Sequence, residues 1–421
     1  MTVDEKRARP GIGVYAHIPW CASKCPYCDF NSRAAGEVPE KRYTDCLTAE
    51  LRRVAASEGL AGRRLSSLYF GGGTPTLFSP GSIGRVIDTT FEVFTPAPAT
   101  EVTVEANPGT VTVEKLRALR ASGVNRLSLG VQSTLARDLT ALGRAHSARE
   151  GVEAVGMARR AGFENVGVDI IFAVPGQTAR HWKEVLDAVA GLAPEHLSLY
   201  GLTIEEATPF GRIYGGPGPG RRGLASEEDE ARMYELALET LGRAGYVQYE
   251  VSNFALPGRE SVHNSGYWLG RDYLGLGAGA HSYRSSPPWG RRTWNVEDPG
   301  DYMDRTASGL GAEAGGEDLT RGEAMAETVM LGLRMCGTGV DDAAFNARYG
   351  VTLEEALAPG LPPLVAGGLV SFVPGPGRLC LSRAGLLLGD SVIAALLAGL
   401  PLHSAAGPRG AARAGPGWQK S

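Results

Sequence analysis

The sequence predicts an α/β fold in which six β/α units form a parallel barrel or partial barrel, followed by a smaller, mainly helical C-terminal domain. Short apolar runs alternate with helical patterns through the first two-thirds of the 421 residues, which is typical of repeated β/α units. An open doubly wound sheet would show the same alternation. The barrel is favoured because each predicted strand ends in a small or polar group, and barrel strands converge at their carboxyl ends.

Six apolar runs are the predicted strands. The helical pattern after the first run places Tyr43, Leu47, Leu51 and Val54 on one face, as expected for a helix packed against the sheet. The predicted strands cover residues 14–18, 68–70, 102–105, 127–131, 166–171 and 197–200.

Changes in composition divide the chain into five parts. The two joining or terminal segments after the barrel are rich in Pro and Gly, which favours irregular structure over a packed core. The apolar runs 368–373 and 379–381, separated by a Pro-Gly turn, predict a hairpin in the last domain. The parts are a flexible N-terminus (1–10), the barrel domain (11–285), a linker (286–319), the C-terminal domain (320–401) and a disordered tail (402–421).

The overall composition is that of an ordinary folded protein, with 43% hydrophobic and 21% charged residues. A net charge of -4 argues against a broad nucleic-acid surface, and no nucleic-acid partner is expected. No apolar run is long enough to span a bilayer, and the first residues lack the apolar stretch of a signal peptide. A cytoplasmic location is therefore expected.

Three of the six cysteines, Cys21, Cys25 and Cys28, crowd into eight positions directly after the first strand. Disulfide frameworks belong to small secreted chains, so these thiols are interpreted as metal ligands. The C-x3-C-x2-C spacing suits an iron–sulfur cluster. Three protein ligands leave one iron of a [4Fe-4S] cluster open to S-adenosylmethionine. A structural zinc site is the alternative, disfavoured because such sites normally have four protein ligands.

With these motifs the chain resembles the radical S-adenosylmethionine superfamily. The resemblance rests on the cysteine loop and on Gly72-Gly73-Thr74-Pro75 at the end of the second strand. It implies a partial (β/α)6 TIM-like barrel. It also implies that Gly72, Gly73 and Thr74 offer backbone and hydroxyl groups to the cofactor, because glycine lets a ligand approach the backbone closely.

A finer resemblance, over about residues 13–282, is to the anaerobic coproporphyrinogen oxidase family. It implies further contacts to S-adenosylmethionine, because carboxylates can accept from its hydroxyls or amine and arginine can pair with its carboxylate. Ordinary salt bridges at the barrel end are the alternative for each one. The implied contacts are Tyr15, Tyr27, Glu105, Gln132, Arg144, Asp169 and Thr203.

Two features concern the branch of that family. The oxidase branch has a further cysteine two residues after the third ligand, where this chain has Phe30, which puts decarboxylation in doubt. The run from His263 to Trp268, HNSGYW, resembles the H-N-x-x-Y-W motif of a haem chaperone branch. That resemblance implies His263 as a haem contact, since imidazole is a common axial ligand. The alternative is a turn beside core anchors Tyr267 and Trp268.

The resemblance thus implies a protein that binds haem and passes it to acceptor proteins. His281 is a second candidate contact to haem or cofactor, His17 is interpreted as structural, and no catalytic residue is predicted. The alternative function is an oxygen-independent coproporphyrinogen III oxidase, and a third is a radical enzyme with another substrate. Peripheral association with a membrane stays open.

Overall fold

The structure is a computed structural model and describes residues 11–34, 36–215, 223–286, 288–373 and 377–400. The predicted flexible N-terminus (1–10), disordered tail (402–421) and Pro-Gly turn of the hairpin lie outside these residues. The strands are β1 (Ile12–Ile18), β2 (Trp20–Cys21), β3 (Arg33–Ala34), β4 (Arg64–Gly72), β5 (Thr95–Ala106), β6 (Arg126–Gln132), β7 (Val166–Phe172), β8 (His196–Gly201), β9 (Val247–Gln248), β10 (Asn253–Ala255), β11 (Tyr273–Leu276), β12 (His281–Arg284), β13 (Arg291–Asn295), β14 (Glu313–Asp318), β15 (Val340–Asp341), β16 (Val370–Val373) and β17 (Arg378–Leu381).

Helices connect most of these strands. The helices are α1 (Glu40–Ser57), α2 (Pro80–Val93), α3 (Val113–Ala121), α4 (Ala136–Ala141), α5 (Ala148–Arg160), α6 (Ala179–Gly191), α7 (Pro209–Tyr214), α8 (Glu227–Arg243), α9 (Val262–Trp268), α10 (Pro299–Ala307), α11 (Arg321–Gly332), α12 (Asp342–Tyr349), α13 (Leu353–Ala356), α14 (Leu361–Ala366), α15 (Arg383–Leu387) and α16 (Gly389–Leu397). No helix in the described part of the chain is both long and apolar enough to cross a bilayer.

The main sheet runs in the order β14-β13-β12-β11-β1-β4-β5-β6-β7-β8-β10-β9 within the described residues. All neighbours from β11 to β8 pair in parallel, and the strands beyond them pair antiparallel. Parallel neighbours need long crossovers, which helices α1 to α6 supply. The six predicted strands are β1 and β4 to β8, so the partial (β/α)6 barrel is confirmed.

The barrel strands alternate between an apolar outer face and a polar or aromatic inner face. In β1, Val14 and Ala16 belong to the core shared with the surrounding helices, whereas Tyr15 and His17 make polar contacts on the other face. Successive strand residues point to opposite faces, so this alternation separates the two environments. The outer face therefore stabilises the fold, and the inner face is free to carry chemistry.

The segment 286–319, expected to be a linker, differs from that expectation. It contains β13, α10 and β14, and both strands continue the main sheet by antiparallel pairing. Both strands hold mostly exposed or half-buried residues, β14 lies at the edge of the sheet, and the two are joined by ion pairs such as Arg291–Asp318 and Arg292–Glu317. Charged residues suit an edge strand, and they hide the apolar pattern by which a strand is predicted.

The C-terminal part is mainly helical, as predicted. Helices α11 to α16 surround a small sheet in which β16 and β17 form the predicted hairpin and β15 pairs with β17. Its own core, including Val329 and Phe345, also takes in Tyr273 and Tyr283 from the main sheet. The barrel edge and the last domain therefore pack against each other. The domain limits themselves stay a prediction.

Candidate functional site

The three cysteines lie on the loop that follows β1, at the carboxyl end of the barrel strands. Cys21 ends β2, which pairs with β3, and the Cys28 amide donates to the Cys25 carbonyl at 3.2 Å. The Lys24 ammonium donates to the Phe30 carbonyl at 3.0 Å and to the Ser32 carbonyl at 2.8 Å. The loop is thereby closed on itself, with all three thiols half-buried and outside any disulfide.

The thiols lie close enough to affect one another. Burial raises the pKa of Cys28, the Phe30 amide lowers it, and the neighbouring Cys21 and Cys25 raise it again. Three thiolates this close together would repel each other, and positively charged irons bound to them would remove that repulsion. The arrangement therefore fits an iron–sulfur cluster. No group of three His, Cys, Asp or Glu side chains in the described ranges stands around a point as a single metal ion requires. In a four-iron cluster each thiolate binds a different iron.

Arg144 reaches the cysteine loop from the segment after α4. Its Nη1 donates to Cys25 Sγ at 3.2 Å and to the Tyr27 hydroxyl at 3.4 Å, and its Nη2 donates to the Gly130 carbonyl at 3.1 Å. A Cβ at Gly130 would contact both Arg144 and Gln132, so these two side chains lie together. The structure therefore groups three of the predicted cofactor contacts beside the cysteines.

Two polar atoms of this group are buried without a partner. They are Arg144 Nε and Gln132 Oε1, judged over the described ranges of the chain. Gln132 also has a φ of 64°, a conformation that is uncommon for residues other than glycine. Buried polar groups left unpaired are costly, and they need an explanation such as an absent ligand. These atoms fit a polar cofactor beside the cysteine loop.

The glycine turn after β4 holds the cysteine loop in place. The amide of Gly73 donates to the Ile18 carbonyl and that of Thr74 donates to the Trp20 carbonyl, both at 2.8 Å. A Cβ at Gly73 would lie 2.5 Å from the Trp20 carbonyl oxygen, so only glycine fits there. The amide of Gly72 donates to Glu105. The three amides therefore have protein partners, and the contacts of Gly72, Gly73 and Thr74 with the cofactor stay predictions.

Glu105 and Asp169 face the inside of the barrel below this turn. Glu105 accepts from the Tyr69 hydroxyl at 2.8 Å and from the Gly72 amide at 3.2 Å, and Asp169 accepts from Ser128 Oγ at 3.2 Å. Burial raises the pKa of Glu105 to about 7, the Tyr69 hydroxyl lowers it, and the charge of Asp169 raises it. Burial also raises the pKa of Asp169. A cationic ligand would stabilise both carboxylates.

Tyr15 joins the barrel interior to the cysteine loop. Its hydroxyl bonds to His17 Nδ1 at 2.9 Å, and His17 Nε2 bonds to the Asn31 carbonyl at 2.8 Å. Burial lowers the pKa of His17 to about 4, so the ring is neutral and donates to the loop carbonyl. These contacts support the structural role expected for His17. The other predicted tyrosine, Tyr27, packs against a small apolar cluster that contains Leu142.

The hydrogen bonds described above do not bring Thr203 and His281, two further predicted contacts, to the residues around the cysteine loop. Thr203 is exposed, two residues beyond the end of β8, and its hydroxyl donates to the Gly201 carbonyl at 3.5 Å. His281 begins β12, where a strand end was expected, and its ring lies 6.0 Å from that of Trp294. Its Nδ1 is buried without a partner in the described residues. Both contacts stay predictions.

His263 lies inside the barrel, in α9, below the layer of Tyr15 and Tyr69. Its Nδ1 bonds to Ser67 Oγ at 2.8 Å and its Nε2 bonds to the Tyr267 hydroxyl at 2.9 Å. The imidazole stacks on the Tyr69 ring at 4.9 Å, and the residue is 4% exposed. Burial lowers the pKa of His263 to about 3, so the ring is neutral.

These contacts limit how His263 could bind an iron. Both ring nitrogens are engaged, so coordination requires the hydrogen bond from Ser67 or Tyr267 to open. The cavity beside the ring measures only ≈10 Å³, too little for a macrocycle. Trp268 is buried under the Arg334 guanidinium at 4.5 Å, which makes it a core anchor rather than an exposed aromatic wall.

Two buried charges that the sequence did not single out hold the start of α9. Glu101 accepts from the Val262 amide at 3.0 Å and from the His263 amide at 3.1 Å. The buried Arg126 Nε lies 4.0 Å from the Glu101 carboxylate. Both side chains occur on strands of alternating polar and apolar residues. The alternation of polar and apolar residues along these strands, which places Glu101 and Arg126 on the inner face, was the sequence signal by which they could have been found.

Comparisons with known proteins agree with this geometry. The family model of the Radical SAM superfamily matches residues 15–189, and that of the HemN C-terminal domain matches residues 319–388. The structure is similar to the solved structure of coproporphyrinogen III oxidase (HemN) from Escherichia coli, with a TM-score of 0.77 and 24% sequence identity. The match covers 92% of this chain and 90% of that one. This likeness shows the fold.

Curated relatives identify the branch. The chain is 36% identical to the Heme chaperone HemW of Bacillus subtilis, over 91% of this chain and 98% of the relative. It is also 36% identical to the Heme chaperone HemW of Mycobacterium tuberculosis, over 92% of this chain and 95% of that protein. The relative of that name in Escherichia coli is 38% identical over 70% of this chain and 76% of its own. The chain therefore belongs to the HemW heme chaperone family of the radical SAM superfamily.

Proposed function

We propose that this protein is a haem chaperone, which binds haem and passes it to acceptor proteins while carrying a [4Fe-4S] cluster and S-adenosylmethionine. The observation that carries the proposal is the HNSGYW helix, α9, whose His263 stacks on Tyr69, the tyrosine that donates to Glu105. The relatives that span nearly all of this chain are named haem chaperones. We place the protein in the cytoplasm, and peripheral membrane contact is open to a vesicle co-sedimentation test.

The residues present fit both resident cofactors. Cys21, Cys25 and Cys28 would hold the cluster, which when bound supplies an electron that can cleave the sulfonium bond of S-adenosylmethionine. Arg144 would pair with the carboxylate of S-adenosylmethionine. Glu105 and Asp169 would accept from its hydroxyls or amine and stabilise its positive charge.

The alternative, an oxygen-independent coproporphyrinogen III oxidase, shares this fold. Against it stands Phe30, which occupies the position of the additional cysteine expected in the oxidase branch and is exposed. The decisive test incubates reconstituted protein with coproporphyrinogen III, S-adenosylmethionine and a reductant. We expect the substrate to be recovered unchanged, and accumulation of protoporphyrinogen would contradict the proposal.

The haem-binding part is tested by anaerobic titration of the reconstituted protein with haem. We expect a saturable Soret band for the wild type. His263→Ala should weaken binding about tenfold or more if the imidazole becomes an iron ligand after one hydrogen bond opens, since tenfold corresponds to ~1.4 kcal/mol. The matched control is His181→Ala, on α6 outside the barrel. Unchanged binding by His263→Ala would remove His263 as a ligand, and failure of the wild type to bind haem would contradict the function itself.

A further inference from the structure

A second, larger recess opens at the amino-terminal mouth of the barrel. It measures ≈260 Å³ and is lined by the segments where β4 and β5 begin, by Gly11 just before β1, and by Val262 and Arg271 at either side of α9. Parallel strands place all their amino ends at one mouth. The recess therefore lies at the opposite end of the barrel from the cysteine loop.

The recess carries positive charge without a matching negative one. Among the described residues, Arg64 and Arg271 line it and no acidic residue does. Over the residues that the structure describes, neither arginine takes part in an ion pair. Arg63, which precedes Arg64 in the sequence, is by contrast paired with Asp272 at 2.8 Å. Burial lowers the pKa of Arg271, and no carboxylate offsets that cost. Such a pair of guanidinium groups favours a ligand with carboxylates.

The rest of the recess combines apolar side chains with the hydroxyl residues Ser66 and Thr100. The apolar lining residues are Leu65, Ala97, Ala99 and Val262, and Val262 is 36% exposed. Sites that enclose a whole drug-sized ligand measure about 300–1,000 Å³. A recess of this size holds one edge of a larger molecule and leaves the rest accessible.

Val262 also connects the recess to the haem motif. It is the first residue of α9, and it borders the small cavity that His263 and Tyr267 share with Gly11 and Arg271. A ligand seated in the recess would therefore touch the helix that carries the HNSGYW run. An apolar plate with two carboxylates on one edge is complementary to the two arginines of the recess in charge.

We propose that the recess binds the propionate edge of haem, with Arg64 and Arg271 as partners of the two carboxylates. This subsite rests on the proposed haem-chaperone function and adds to it a place where the cargo is held. Holding only one edge leaves most of the macrocycle outside the barrel. An acceptor protein can then take the exposed part before the propionates are released.

The test titrates the full-length, reconstituted protein with haem and with haem dimethyl ester, whose carboxylates carry no charge. Arg64→Gln and Arg271→Gln should each weaken haem binding about tenfold, and the double variant should weaken it further. The double variant should no longer distinguish haem from the ester, and the wild type should bind the ester as weakly as the double variant does. The matched control is the double variant Arg149→Gln and Arg180→Gln, which removes two exposed helix-surface arginines.

The outcomes separate this subsite from the function on which it rests. If the wild type binds haem and the double variant binds it equally well, the arginine subsite is wrong and the chaperone function stands. If the wild type binds neither haem nor the ester, both proposals fall. Unchanged cluster absorption and thermal unfolding in the double variant show that it is folded.

Discussion

Glu105 illustrates how a buried side chain can be set up for a cationic cofactor. It has two donors, the Tyr69 hydroxyl and the Gly72 amide, yet burial and the nearby Asp169 hold its pKa at about 7. A carboxyl with a raised pKa keeps its proton until the pH passes that value. S-adenosylmethionine has a permanent positive charge on its sulfonium, so its binding favours the ionised form of Glu105. Below pH 7, binding must therefore displace the proton of the Glu105 carboxyl.

The affinity for S-adenosylmethionine should therefore fall as the pH drops through 7. Between pH 8 and pH 6 we expect a weakening of about tenfold in the wild type, because one pH unit below a pKa corresponds to a tenfold change in the ionised fraction. Glu105→Gln should bind weakly at both values and lose the pH dependence. Isothermal titration of the reconstituted proteins measures this, with Glu92→Gln, an exposed pair with Arg52, as control. A pH dependence that persists in Glu105→Gln would exclude Glu105 as the titrating contact.

The structure brings several of the predicted residues together near the strand ends, while their contacts with the cofactor stay predictions. Tyr27, Gln132 and Arg144 lie beside Cys25 because the segments that follow the strands converge at one end of the barrel. His263 was singled out by its motif, but its depth inside the barrel was not predictable, since it depends on Ser67, almost two hundred residues away.

Helix α9 is the element on which the haem proposal depends, and it has seven residues. Helices this short are not stable alone, so tertiary contacts must hold it. Glu101 accepts from its first two amides, and Arg334 covers Trp268 at its end. The position of His263 is thus determined by buried contacts at both ends of the helix.

Removing the charge of Glu101 should destabilise the protein strongly. In Glu101→Gln, Arg126 stays buried without its carboxylate, and breaking a buried pair costs about 3–5 kcal/mol. We expect a loss of about 3 kcal/mol in the free energy of unfolding, measured by denaturant titration of the cluster-free protein. Glu92→Gln, which breaks an exposed pair, should cost about 1 kcal/mol or less. A loss of that small size in Glu101→Gln would show that the pair does not hold α9.

Among the elements, strands with long apolar runs were predictable, whereas short or charged strands were not. β11 has the four residues Tyr-Leu-Gly-Leu within a glycine-rich stretch, and it became a seventh parallel strand only by pairing with β1. β13 and β14 belong to the sheet through backbone pairing and charged cross-strand contacts. Their sequence pattern therefore resembled a linker.

At the scale of the whole molecule, one barrel serves two chemistries at opposite ends. The cysteines and the cofactor residues lie at the carboxyl ends of the strands, and the arginine recess lies at the amino ends. Between them, Tyr15, Tyr69 and His263 stack with ring centroids 4.9–6.3 Å apart. Composition and motifs predicted the domain order and the cofactors. That the cysteine loop and the arginine recess lie at opposite ends of the barrel could be seen only in the folded structure.

Transfer of bound haem to an acceptor protein is the activity that distinguishes a haem chaperone from the alternative functions. The reconstituted protein would be loaded anaerobically with one equivalent of haem and mixed with an excess of an apo haem protein, and the Soret band would be followed as it shifts to that of the acceptor. We predict one haem bound per chain and its transfer to the acceptor faster than from haem on albumin. Absence of haem binding, or transfer no faster than from albumin, would contradict the assignment as a haem chaperone.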